Sequence, residues 1–351
     1  MLGARLAARI RAEGPLPFDE FMRAALYDPD EGYFTAGPLR SAREGDFLTS
    51  PEVSPLFGAV LARFVEAEAG RIGADPVMVV DAGAGSGTLL RSLLDAARVG
   101  VRAWALEVSP AARESLRLFV PEAAVAQSPA ALTLPIRGVV VANELADNLP
   151  AAVAVRRDGG WAERLVGEEQ GRLCWLEGPA RPEVAAWAER HAGPVPEGGL
   201  VEAQIAAGEW LRGTLRRLAA GAVLVVDYGD TGPGLTARRA EGTLRTYRGH
   251  HLGPDPLLEP GHTDITLDVD FGALRTAAEE EGARAEIYSQ ASFLERWGLG
   301  DLLKARRAEE LALAREGNAL ERLRVRSLIT GGEALLHPRG LGDFRVLVAR
   351  R

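Results

Sequence analysis

The chain has 351 residues, 47% of them hydrophobic, and its 41 basic and 49 acidic side chains leave a formal charge of −8. This is a globular composition that excludes a disordered chain, and the acidic balance argues against a protein that works by neutralising nucleic-acid phosphates. The single Cys174 allows neither an internal disulfide nor a cysteine-built zinc cluster, as expected of a cytoplasmic chain, and no apolar run reaches the roughly 20 residues of a membrane span.

Apolar residues spaced by three and four predict helices over residues 2–10, 18–26 and 56–72. Pro15 and Pro17 separate the first two, and Ser50-Pro51 with Ser54-Pro55 signals the start of the third. From residue 77 the pattern changes. Val77-Met78-Val79-Val80-Asp81 reads as a buried parallel strand, followed by a glycine loop, a helix over 89–97, a strand over 101–107, a helix after Ser109-Pro110 and a strand over 138–143. Strand and helix alternating at this spacing predict a parallel sheet. Three short antiparallel strands, 152–157, 161–166 and 172–176, interrupt it, joined at Asp158-Gly159-Gly160 and Gln170-Gly171. The pattern resumes with a helix over 201–218 and a strand over 222–228. A loop over 229–263 follows, long enough to be functional or mobile. A helix over 270–281, a strand over 284–289, a helix-rich stretch over 291–329 and a strand over 344–349 complete the chain. The expected organisation is a helical N-terminal cap over 1–76, a core over 77–150 and 201–351, and a β-rich insertion over 151–200 that forms part of a substrate wall.

The glycine loop Gly83-Ala84-Gly85-Ser86-Gly87 leaves a buried strand and enters a helix through small residues, so its backbone can approach a ligand closely with amides free to donate. Thr88-Leu89 follows Gly87, so the lysine of a P-loop is missing, and Thr88 stands where a dinucleotide fingerprint has a small residue. Asp81 places negative charge beside the loop, which suits a cationic or hydroxyl-bearing ligand better than a pyrophosphate. S-adenosylmethionine has a positive sulfonium and amino group and no phosphate. Glu107, ending the next strand, stands where an acid accepts ribose hydroxyls, and Asn143-Glu144 ends a third strand at the same edge.

Several stretches then resemble the MidA family of S-adenosylmethionine-dependent methyltransferases over nearly the whole chain. They are residues 14–22 (GPLPFDEFM), 25–34 (ALYDPDEGYF), 45–58 (GDFLTSPEVSPLFG), the glycine loop, 143–150 (NELADNLP), 242–248 (GTLRTYR) and 264–271 (DITLDVDF). The family usually has Glu where Asp81 stands, and often an aromatic or bulky residue and an Asp-Ala pair within the segment that here reads Leu145-Ala146-Asp147-Asn148. The resemblance implies a class I methyltransferase fold: α/β and Rossmann-like, with a seven-stranded, mainly parallel sheet. It also implies methyl transfer to a protein, since a mitochondrial member of the family acts on an arginine of a respiratory complex I subunit. A homodimer is left open. Asp81, Gly83, Gly85, Gly87, Glu107 and Asn143 are the residues expected to hold the cofactor. A guanidinium with a pKa above about 12 needs carboxylates to hold and polarise it, and Glu144 and Asp147 are the candidates. The alternative for Glu144 is a first-turn acid complementing a helix dipole. The alternative for the whole chain is a non-catalytic assembly factor that binds the cofactor and acts through protein contacts.

Other residues carry weaker signals. Glu52 could order an N-terminal lid, meet the cofactor or start a helix, and Asp227-Tyr228-Gly229 could line the substrate side or close a turn. Arg245, Tyr247 and Arg248 could recognise a partner or pin their loop. No metal is expected at His250-His251 and His262, because adjacent histidines rarely reach one ion together. The Asn/Asp-Pro-Pro-aromatic signature of amino-methylating enzymes is missing, since Asn143 is followed by Glu144-Leu145-Ala146; this disfavours nucleic-acid and small-molecule amines as acceptors.

Overall fold

A computed structural model describes residues 1–37, 49–132, 135–238, 240–248 and 251–351. The motif residues 45–48 and His250 lie outside the described residues. Seven strands form the central sheet: β1 (Val77–Ala82), β2 (Val101–Leu106), β3 (Ala124–Ala126), β4 (Ile136–Asn143), β5 (Leu218–Asp227), β6 (Arg284–Ser289) and β7 (Arg345–Arg350). Their spatial order is β3-β2-β1-β4-β5-β7-β6. Only β7 runs antiparallel to its neighbours, β5 and β6. The β1 strand is paired on both sides, Val79 lying opposite Ala103 and Val139, and lies buried at the centre of the fold, which is why its sequence is apolar but for Asp81.

Alternate residues of that apolar run serve different faces. Val77 and Val79 pack beneath the helices Leu56–Ile72 and Thr88–Ala96. Met78 and Val80 face the helices Ile205–Arg217 and Phe271–Glu280. A second sheet of five strands, built largely from Ala152–Arg157, Gly160–Glu169 and Arg172–Pro179, stands beside the first. The helices Leu2–Glu13 and Phe18–Tyr27 press on it through Leu6, Phe18, Phe21 and Met22 against Val153, Val155 and Val166.

Some boundaries differ from those read in the sequence, for physical reasons. The helix Leu56–Ile72, expected in the cap, is a core helix with buried Val60, Leu61, Phe64 and Val65 on the central sheet. Residues 200–203 form a strand that pairs with Ala152–Val155, so the following helix begins at Ile205 rather than at 201. Leu16–Pro17 also pairs into the second sheet, opposite Val166 and Leu165. The β3 strand was not foreseen, because three residues are too few to show a period. The loop over 229–263 contains the short helix Gly232–Thr236 and the strands Arg245–Arg248 and His251–Leu252, which form a small antiparallel sheet with Asp264–Thr266 just beyond it. Buried Asp268 organises it, accepting from Arg245 at 2.9 Å and pairing with Arg238. Arg248 donates to Thr263 Oγ1 at 2.7 Å, so these arginines pin the loop.

Phe64 is fully buried, with its ring perpendicular to Trp297 at 5.1 Å and 5.7 Å from Phe293. It fastens the core helix to the C-terminal helices. Phe64→Ala is expected to cost about 3–5 kcal/mol, read as a lowered urea midpoint of unfolding.

Candidate functional site

The carboxyl ends of β1, β2 and β4 open on one edge of the sheet, where ligands of such folds collect. They border a cleft with about 880 Å³ of space not filled by protein atoms. Asp81 near the end of β1, Glu107 just past β2, and Asn143 with Glu144 at the end of β4 all line it, as do Gly83 and Gly85. Six of the eight site residues expected from the sequence therefore meet in one place.

The glycine turn is tied to the neighbouring strand: the amides of Gly83 and Ala84 donate to the Leu106 carbonyl at 2.8 and 3.1 Å. Gly85 has φ of +50°, a conformation that disfavours a side chain, and its amide donates to Glu107 Oε2 at 2.9 Å. The amide of Ser109 donates to the other oxygen, Oε1, at 2.8 Å, so the Glu107 carboxylate is held in place from two sides. Gly87 has a different task from the one expected. It lies off the cleft lining, and a Cβ there would come within 2.7 Å of Leu116, so its bareness lets the helix Pro110–Phe119 pack closely.

The electrostatics are one-sided. Among the described residues lining the cleft there are three acids and no Lys, Arg or His. Asp81 Oδ2 is buried without a hydrogen-bond partner. Its burial, reinforced by the charge of Glu107, raises the carboxyl from 3.8 to about 7. Glu144 is raised from 4.5 to about 8, first by burial and then by the charge of Asp147. It has φ of +51°, and its Oε1 accepts from the Ser50 amide at 3.2 Å and Asn143 Nδ2 at 3.3 Å. Asn143 Oδ1 is also buried and unpartnered. Two orphaned acceptors in an anionic cleft call for a ligand that carries donors and positive charge.

Asp147 does not line the cleft. It is buried behind the cleft floor, where Tyr228 Oη and Thr266 Oγ1 donate to its Oδ2 at 2.6 and 2.8 Å. The direct role expected for it is therefore withdrawn; it acts on Glu144 through its charge. Asp227 is likewise buried, and its Oδ2 accepts from the amides of Ala146 and Asp147 at 3.0 and 3.2 Å. Glu52 closes a capping box, its Oε2 accepting from the Thr49 amide at 3.1 Å, and Ser86 Oγ lies 3.4 Å from its other oxygen. The residues that sequence reasoning missed are chiefly Tyr27, Phe34, Pro51, Leu145 and Asn148. All five sit inside the family-like stretches, which was the only signal pointing to them. Among the described residues no group of three His, Cys, Asp or Glu is placed to hold a metal.

Comparison with known proteins agrees with this geometry. The family described as "Putative S-adenosyl-L-methionine-dependent methyltransferase" matches residues 60–289. Protein arginine methyltransferase NDUFAF7, mitochondrial, of Danio rerio is 30% identical, with 84% of this chain and 76% of that protein covered. The Mus musculus protein of the same name is 27% identical, over 96% of this chain and 81% of its own length. A COG1565 superfamily member from Burkholderia thailandensis, solved bound to S-adenosyl-homocysteine, is 30% identical. It superposes with a TM-score of 0.85, covering 100% of this chain and 92% of that one.

Because the folded states of Asp81 and Glu144 keep protons that the unfolded chain releases from about pH 4 upward, the protein binds more protons folded than unfolded across that window. Stability without ligand therefore falls as pH rises from about 4 to 8 and levels off above. Urea titrations at pH 5 and pH 8 are expected to differ by a few kcal/mol, and Asp81→Asn should remove part of that slope.

Proposed function

The chain belongs to the S-adenosyl-L-methionine-dependent methyltransferase family, and from that premise we propose that it methylates an arginine side chain of a protein substrate. The observation that carries this reading is the cleft itself, whose described lining includes three carboxyl groups and no Lys, Arg or His. The names of the relatives support the same acceptor. A subunit of a respiratory complex I-type assembly is the first substrate to try.

The residues present fit the cofactor. Asp81 and Asn143 offer the two orphaned acceptors to its positive and N–H groups, and Glu107 stands ready for ribose hydroxyls. Gly83 and Gly85 keep the wall bare, since a Cβ on Gly83 would press on Leu145 at 3.1 Å. When bound, the cofactor supplies a methyl group on a carbon activated by sulfonium. The protein's share is mainly positioning. Glu144 is the acid placed to hold the acceptor, because it ends the middle strand β4 and is anchored by Ser50 and Asn143. Near neutral pH its raised pKa leaves it mostly protonated; an arriving guanidinium favours loss of that proton to solvent, and the carboxylate then takes the guanidinium N–H groups and the proton the acceptor must lose.

Mass spectrometry of a proteome with and without this protein is expected to show one arginine losing its methyl mass when the protein is missing. Glu144→Gln should lower labelled-methyl transfer by roughly 10²–10⁴-fold while S-adenosylhomocysteine affinity changes less than about twofold. Undiminished transfer by that variant would remove Glu144 from the reaction.

A further inference from the structure

Besides the glycine turn and the end of β2, the cleft is lined by two aromatic rings, Tyr27 from the end of the helix Phe18–Tyr27 and Phe34 from the turn that follows it. Their rings form an offset stack, with centroids 5.8 Å apart and planes at 28°. Tyr27 Oη donates to the Asn148 carbonyl at 3.1 Å, which fixes its ring over the segment that begins with Asn143 and Glu144. Phe34 is held from behind by fully buried Tyr33, edge to face at 5.0 Å, and its amide donates to the Leu26 carbonyl at 2.9 Å. Both rings are only half-buried, so each keeps surface for a ligand.

An aromatic face attracts a cation through its quadrupole, and a guanidinium in particular stacks flat on such a ring while its edge donates to a carboxylate. The pair of rings and Glu144 line the same cleft and together supply both halves of that arrangement. We propose that Tyr27 and Phe34 form the recognition wall for the methyl acceptor, selecting a cationic planar side chain by stacking while Glu144 accepts its N–H groups. This assignment rests on the arginine reading above and adds the residues that set specificity. It also gives the turn over residues 28–34 a purpose: Gly32 and Thr35 bond back to Asp28 and so place Phe34 where it meets Tyr27.

The test is calorimetric titration of full-length protein saturated with S-adenosylhomocysteine, using N-acetyl-arginine methylamide and its neutral citrulline counterpart. The wild type is expected to bind the arginine compound and to bind the citrulline compound at least about tenfold more weakly. Phe34→Leu should weaken arginine binding by roughly five- to tenfold, and Phe34→Tyr, which keeps a ring, should restore most of it. Affinity for S-adenosylhomocysteine should stay within about twofold in both variants. Wild-type protein that ignores the arginine compound would overturn the arginine reading together with this wall. Arginine binding that is unchanged in Phe34→Leu, or a loss confined to S-adenosylhomocysteine, would overturn the wall alone.

Discussion

Bringing Asp81, Glu107 and Glu144 into one cleft is costly unless positive charge arrives, because a buried carboxylate is stable only with a counter-charge or donors around it. Much of the neighbouring structure can be understood as partial compensation. Glu107 takes the amides of Gly85 and Ser109, and Glu144 takes the amide of Ser50 and the side-chain amide of Asn143. Asp81 receives no such help on Oδ2, and burial beside Glu107 raises its carboxyl to about 7. The unpaid remainder is what gives the cleft its preference for cations, so the cofactor and the acceptor are drawn to the same unsatisfied charge.

Distant parts of the chain converge to hold that arrangement. Asn148 receives Tyr27 from the N-terminal region on its carbonyl and donates its side chain to Asp264 and the Ile265 carbonyl at 2.9 and 3.1 Å. Thr266 and Tyr228 hold Asp147, and the Leu267 amide donates to the Asp147 carbonyl at 3.2 Å. The stretches 25–34, 143–150 and 264–271 are thus three sides of one polar joint beneath the cleft.

Much of the central sheet was legible in the sequence because β1, β4 and β5 are buried on both faces and read as unbroken apolar runs. The cofactor edge was legible for a related reason: acids at strand ends stand out against those runs, and Asp81, Glu107 and Glu144 do. What the residues alone could not show was direction. Asp147 has the chemistry expected of it but points behind the floor, because the turn Ala146–Asn148 is clamped by Asp227. Gly87 belongs to the glycine pattern yet answers to Leu116 on another helix. Tyr27 carries no local mark that separates a cleft ring from a core ring; only its placement against Phe34 and Asn148 does so.

The pairing of Leu16 with Val166 reaches across 150 residues of chain. The helices on either side of Leu16 therefore have no platform until the second sheet has been synthesised, and during that interval Phe18, Phe21 and Met22 have no Val153 or Val166 to cover them. Contacts so far apart in sequence form late, and a greasy segment waiting for its seat is prone to stray association. The aromatic part of the cleft shares this dependence, since Tyr27 is held by the carbonyl of Asn148, far along the chain.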